Sequence, residues 1–212
     1  MKGKRILKHL SGLFISFFVF IFLFSFDWLG GYQQIAYNVK GFMKYFTYKK
    51  EKFSGDYYGK RFSNRKSCEY IFYDLMLINS GMDEENKYFK VVGREEVKKD
   101  LVDVMILLKK YKMAGYVIES EIKEVVDKDR YLEKYTPLLS YIYYKVGDKD
   151  KSDKYMSEFI SHLKGIRKIE EEREEIEKKR NEVLKKKGRY FKYKKDYYDF
   201  LLKRLKGKEI FS

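Results

Sequence analysis

The chain has 212 residues, and 47 Lys and Arg against 32 Asp and Glu give it a formal charge of +15. Hydrophobic residues make up 44% and aromatics 18%, with 21 Tyr and 17 Phe, more large apolar surface than a disordered polyelectrolyte carries. One Cys excludes an intrachain disulfide framework, and Cys68 with His9 and His162 supplies too few soft ligands for a Cys/His zinc site.

Residues 1–29 read as a membrane anchor. Lys2, Lys4, Arg5 and Lys8 precede an uncharged run from Leu10 to Phe26. As a helix rising ~1.5 Å per residue this run reaches roughly 25 Å, against a hydrocarbon core of ~30 Å. Ile6 and Leu7 on one side, and Trp28 and Leu29 on the other, extend it, and Trp prefers the headgroup level. Seven Phe between Phe14 and Phe26 fall on all sides of the helical wheel, whereas a core helix would keep one polar stripe. A cleaved signal peptide would have a shorter apolar centre and a small-x-small cleavage site, while the exit here is Ser25-Phe26-Asp27-Trp28. The expected lipid contacts are Leu10, Phe14, Phe17, Phe18, Phe22, Phe26 and Trp28. The heavier positive charge before the run places the N-terminus in the cytoplasm and residues 30–212 outside it, an asymmetry weakened by Lys49, Lys50, Lys52, Lys60 and Arg61.

Residues 30–66 form a basic and aromatic juxtamembrane segment. Ile35, Val39, Phe42, Met43 and Phe46 have the spacing of one helical face, which predicts a helix over 33–48. Ser54-Gly55-Asp56 and Gly59 break the pattern and predict a loop. The helix is expected to pack on its own domain, with anionic headgroups as the alternative site for its Lys, Tyr and Phe.

Residues 67–165 are expected to form a helical domain. Three stretches each end at a glycine: Cys68–Ser80 before Gly81, Glu95–Ala114 before Gly115, and Pro137–Val146 before Gly147. The near-regular spacing fits tandem helical hairpins, and equally fits three ordinary helix ends at left-handed glycines. Thr136-Pro137 predicts an N-cap hydroxyl followed by proline at the first helical position.

The stretch from Leu138 to Ile160 resembles a tetratricopeptide repeat. Leu139 and Ser140 stand at its Leu-Gly pair, Tyr143 at the first-helix tyrosine, Gly147-Asp148 at the turn, and Ser152 at the small position of the second helix. Leu107, Tyr111, Gly115 and Ser120 keep that register one unit upstream, where Glu124 and Asp127 depart from it. The resemblance implies an α-solenoid whose concave face binds peptides or partner proteins.

Residues 166–212 hold a long charged helix and a basic-aromatic one. Ile169, Ile176 and Val183 recur every seventh residue between Ile169 and Lys187, with an acidic start and a basic finish that suit the helix dipole. One apolar position per heptad predicts an exposed or edge-packed helix rather than a coiled coil. Lys185, Lys186, Lys187, Arg189, Lys192, Lys194 and Lys195 surround Tyr190, Phe191 and Tyr193, a pattern suited to polyanion contact. Tyr197, Tyr198, Phe200, Leu201, Leu202 and Leu205 predict an amphipathic helix folded back on the domain.

No phosphate loop, dinucleotide fingerprint, HExxH or nucleophile elbow is present in the sequence. Glu119-Ser120 is similar to the Glu-Ser pair of lytic transglycosylases, without that family's downstream Gly-Leu-Met-Gln. The expectation is an all-α, non-enzymatic protein with no cofactor and no metal: one N-terminal transmembrane helix, a helical-hairpin, α-solenoid-like domain and a charged C-terminal helix. Its partners would be membrane lipid and one or more proteins of a membrane or envelope complex. The alternative is a basic module for anionic lipid, envelope polymer or nucleic acid, the last disfavoured by an exported topology.

Overall fold

The computed structural model describes residues 43–52, 57–81, 94–165 and 169–206, and among these every regular element is a helix. In chain order they are α1 (residues 43–52), α2 (Tyr57–Arg61), α3 (Arg65–Gly81), α4 (Arg94–Leu107) and α5 (Tyr111–Tyr116). A π-helix (Val117–Ile122) follows, then α6 (Lys128–Lys134), α7 (Thr136–Val146), α8 (Lys149–Gly165), α9 (Ile169–Leu184) and α10 (Arg189–Leu205).

The core is built around α4. Ten of its fourteen residues are buried, Lys98, Asp100 and Asp103 among them. A helix with apolar residues on every side is stable only away from water, in a protein interior or a bilayer, and Leu101, Val102, Val104, Met105, Ile106 and Leu107 give the buried α4 that character. Helices α3, α5, the π-helix and α10 pack against it; the hairpin α7/α8 packs on α5 and α6, and α10, paired with α9, also touches α2 and α7. Tyr48, Phe62, Leu75, Leu101, Ile118, Leu139, Phe159, Ile176 and Leu201 belong to one continuous core.

Sequence and structure agree most closely at α7. Gly147 is left-handed at φ 87°, Asp148 N–H donates to Tyr143 O at 3.0 Å, and Gly147 N–H donates to Tyr144 O at 3.2 Å. These two crossed bonds satisfy the last carbonyls of the helix. Where α7 and α8 approach, Ser140 Oγ donates to Ser152 O at 2.8 Å and Ser152 Oγ donates to Ser140 O at 2.9 Å. Small hydroxyls let the two backbones come close, and each donates to the carbonyl of the opposite helix.

Several local expectations are corrected. The stretch Glu95–Ala114 is not one helix, because the chain turns at Leu108–Lys110. Lys109 takes a φ of 60°, and Lys110 N–H returns to Met105 O at 2.8 Å. Gly115 consequently lies inside α5 instead of ending a helix, and its role is contact. A Cβ there would stand 3.4 Å from Tyr143 Oη and 3.7 Å from Ile142 Cγ2. Gly59 lies within α2 rather than in a loop. Thr136 does not cap α7, since its hydroxyl donates back to Leu132 O in α6.

The helix expected over 33–48 is described from residue 43 and continues to 52. Tyr48 is its buried contact, while Met43 and Phe46, two members of the predicted apolar stripe, are 64% and 56% exposed. The stripe therefore points away from the domain at both described positions, contrary to the expectation that it packs on its own core. Leu10, Phe14, Phe17, Phe18, Phe22, Phe26 and Trp28 lie outside the described residues. Among the described residues no helix is long and apolar enough to cross a membrane.

Candidate functional site

Two carboxylates three residues apart on α4 organise the interior. Asp100 Oδ2 accepts from Tyr48 Oη and from Lys52 Nζ, each at 2.8 Å, and Oδ1 accepts from Tyr58 Oη at 2.9 Å. Asp103 Oδ1 accepts from Tyr193 Oη and Lys194 Nζ, each at 2.8 Å, and Tyr190 Oη lies 3.4 Å from Oδ2. Each buried anion thus has one ammonium and two phenols. The first set comes from the N-terminal side of the fold and the second from α10, and Tyr58 stacks on Tyr190 between them at 4.4 Å and 17°. Burial, and next the charge of Asp100, push the Tyr48 and Tyr58 phenols far above their usual range. Burial and Asp103 do the same to Tyr190 and Tyr193. These groups are hydrogen-bond donors at neutral pH, and none of them is a base.

Other charges are paired in the same manner. Lys52 Nζ also meets Glu96 Oε1 at 2.8 Å, and Lys49 Nζ meets Glu96 Oε2 at 2.6 Å. Burial would raise the Glu96 carboxyl, but the hydrogen bonds from Lys49 and Lys52 together outweigh it and hold the pKa below its ordinary value. Lys98, almost fully buried, reaches Glu121 Oε2 at 3.1 Å, and burial lowers its pKa despite that partner.

Beside Asp103 a cleft of about 330 Å³ opens between α4, the α6–α7 corner, α9 and α10. Tyr135, Tyr190, Tyr197 and Tyr198 line it with Leu138, Ile176 and Leu201, and Lys99, Lys134, Lys179, Glu133 and Glu172 stand around it. The cleft thus combines an apolar floor, aromatic walls carrying hydroxyls and a rim of both charge signs.

The seven basic residues picked for polyanion contact divide. Lys185, Lys186, Lys187 and Lys192 are exposed. Two others reach inward, Lys194 neutralising Asp103 and Arg189 Nη2 donating to Leu107 O at the end of α4 at 3.0 Å, while Lys195 pairs along its own helix with the half-exposed Asp199 at 2.6 Å. Tyr190 and Tyr193, read as stacking faces, turn inward for the same reason.

Glu119, the acid of the Glu-Ser dipeptide, lies on the π-helix and accepts from Tyr143 Oη at 2.9 Å and from Tyr155 Oη. The two rings stack at 5.7 Å, and Lys151 Nζ sits 4.6 Å from the Tyr143 ring centre. Ser120 Oγ donates to Tyr116 O at 2.6 Å, so both side chains of the dipeptide have partners within the fold. Cys68 is buried, and burial raises its thiol pKa. Among the described residues no group of three His, Cys, Asp or Glu is placed to hold a metal. The chain matches no protein-family model, no curated protein and no solved structure.

Sequence reasoning missed Asp100, Asp103 and Lys98 as interior charges. Their signal was the run Val97–Leu107, in which Lys98, Lys99, Asp100 and Asp103 interrupt residues that are apolar on all sides.

Proposed function

We propose that the protein is a bilayer-tethered helical adaptor that works through protein contacts in a membrane or envelope complex. Leu10–Phe26, with Trp28 beside it, serves as the tether, the N-terminus lies in the cytoplasm, and the helical body stands on the other side. The observation that carries the partner reading is the tyrosine-lined cleft between α4, α6–α7, α9 and α10, whose composition matches the centre of a protein–protein contact. The α7/α8 hairpin, with its small residues at the closest approach, supports the likeness to a helical-repeat scaffold.

The test is recovery of stoichiometric partners from a detergent extract by the full chain and by a Lys99→Glu/Lys134→Glu variant. Both residues are exposed at the cleft, so the fold tolerates the change. Partners held by the wild type, retained at raised salt and lost from the variant support the adaptor. A second reading follows from the exposed Lys185, Lys186, Lys187 and Lys192, which suit a polyanion surface. Retention on a polyanion column at low salt only, with no protein partner above background, replaces the first reading with this one.

A further inference from the structure

We infer that the outward face shared by α1 and α3 rests on the anionic headgroup layer of the bilayer, so that the helical body lies against the membrane instead of swinging from it. This rests on the tether reading above and adds the side of the protein that meets lipid.

On α3 the buried residues Cys68, Ile71, Phe72, Leu75 and Ile78 define one face. At about 100° per residue the opposite face carries Lys66, Tyr70, Tyr73 and Leu77. Tyr70 and Tyr73 are 60% and 69% exposed, and Met76 beside them is 38% exposed. Helix α1 meets α3 through the Lys44 Nζ–Asp74 Oδ1 pair at 2.9 Å. Asp74 lies one turn beyond Tyr70 on α3, so the pair joins α1 to α3 at the edge of the exposed tyrosine row. The combined face holds Met, Phe and Tyr bordered by the exposed Lys50, Arg65 and Lys66. Amphipathic aromatics with basic residues at the margin are the composition of a headgroup-level surface, and the bases complement anionic lipid.

Two further observations choose lipid as the occupant. The stripe Ile35, Val39, Phe42, Met43, Phe46 runs in sequence from the apolar segment into α1, and its described members face outward. Only residues 30–42 separate Leu29 from Met43. Such a link spans roughly 20 Å if helical and at most about 45 Å if extended, so the face that begins at Met43 stays near the bilayer.

The full chain is reconstituted in vesicles of phosphatidylcholine with phosphatidylglycerol and recovered by flotation. An environment-sensitive fluorophore is placed on Tyr73→Cys, with Tyr144→Cys on α7 as the comparison site, and wild type treated alike corrects for Cys68. Tyr73 and Tyr144 are both well exposed, and unchanged far-UV circular dichroism verifies each variant. Spin-labelled lipid with the quencher near the headgroup should quench the label at 73 several-fold more than at 144, and omission of phosphatidylglycerol should reduce the difference. Equal quenching at both sites in floated vesicles overturns the inference and leaves the tether intact. Label-to-label contact at 73 without lipid quenching assigns the face to a second copy, which also overturns it. A chain that does not float removes the tether reading and this inference with it.

Discussion

Asp103→Asn tests whether the carboxylate between α4 and α10 holds the fold together. Asp103 is 1% exposed and Lys194 13% exposed in their side chains, so the substitution leaves a nearly buried ammonium without its counter-ion. Removing one member of a buried pair costs about 3–5 kcal/mol. The lower end applies, because Asn Oδ1 still accepts from Tyr193 and Lys194 can turn toward the adjoining cleft. About 3 kcal/mol, at about 2–4 °C per kcal/mol for a domain of this size, lowers the melting temperature by on the order of 10 °C. The assay is thermal and urea unfolding of the full chain in detergent, followed by far-UV circular dichroism. The double variant Asp103→Leu/Lys194→Met removes both charges and should recover most of the loss, since an apolar replacement of a buried pair is near neutral. A single variant within about 0.5 kcal/mol of wild type, or a double variant no better than the single, refutes the reasoning.

Alkaline unfolding is expected to coincide with tyrosinate formation at Tyr48, Tyr58, Tyr190 and Tyr193. Their folded pKa values stand above the unfolded 10, so the stability they contribute is complete below that pH and declines as the pH rises beyond it, read by ultraviolet absorbance with circular dichroism. Glu96 and Asp199 act in the opposite sense: paired with lysine and arginine, they contribute stability above their unfolded 4.5 and 3.8. That contribution disappears on acidification through the folded values, and Glu96→Gln should flatten the acid limb of a urea-midpoint titration. Gly147→Ala places a Cβ at φ 87° and should cost about 1–2 kcal/mol in urea unfolding. Gly115→Ala should change stability by less than about 1 kcal/mol, because helix propensity offsets a 3.4 Å contact, whereas Gly115→Leu should displace Tyr143 from Glu119 and destabilise clearly in the same assay.

The parts visible in sequence are those in which local chemistry and packing agree. Gly147 closes α7 because the turn needs a left-handed residue, and Phe200, Leu201 and Leu205 turn inward as their helical spacing requires. Ile176, the middle of three heptad positions, is the buried contact of α9, as an edge-packed helix predicts. The break at Lys109 has no local signal, since neither Gly nor Pro marks it and apolar residues continue on both sides. Beyond the break, α5 packs on α7. Asp100 and Asp103 were hidden among 32 carboxylates, and their partners lie 42 to 91 residues away in sequence. The high tyrosine content was counted as apolar bulk, whereas many of those hydroxyls serve as donors to interior anions. Arg189 and Lys194 carried motif-like signals that tertiary partners redirected, whereas Thr136 and Lys195 are held by partners four residues away.

Because Asp100 is answered by Lys52 and Asp103 by Lys194, the middle of the polypeptide cannot complete its neutralisation while it is being synthesised. A ribosome that has delivered α4 must add some ninety further residues before Tyr193 and Lys194 arrive. Until then the nascent molecule holds an unmatched anion in a surface destined for the interior, and the last helix acts as a clasp whose arrival fixes the final state. A stop codon ahead of that helix would release a product loosened throughout, not one merely shortened.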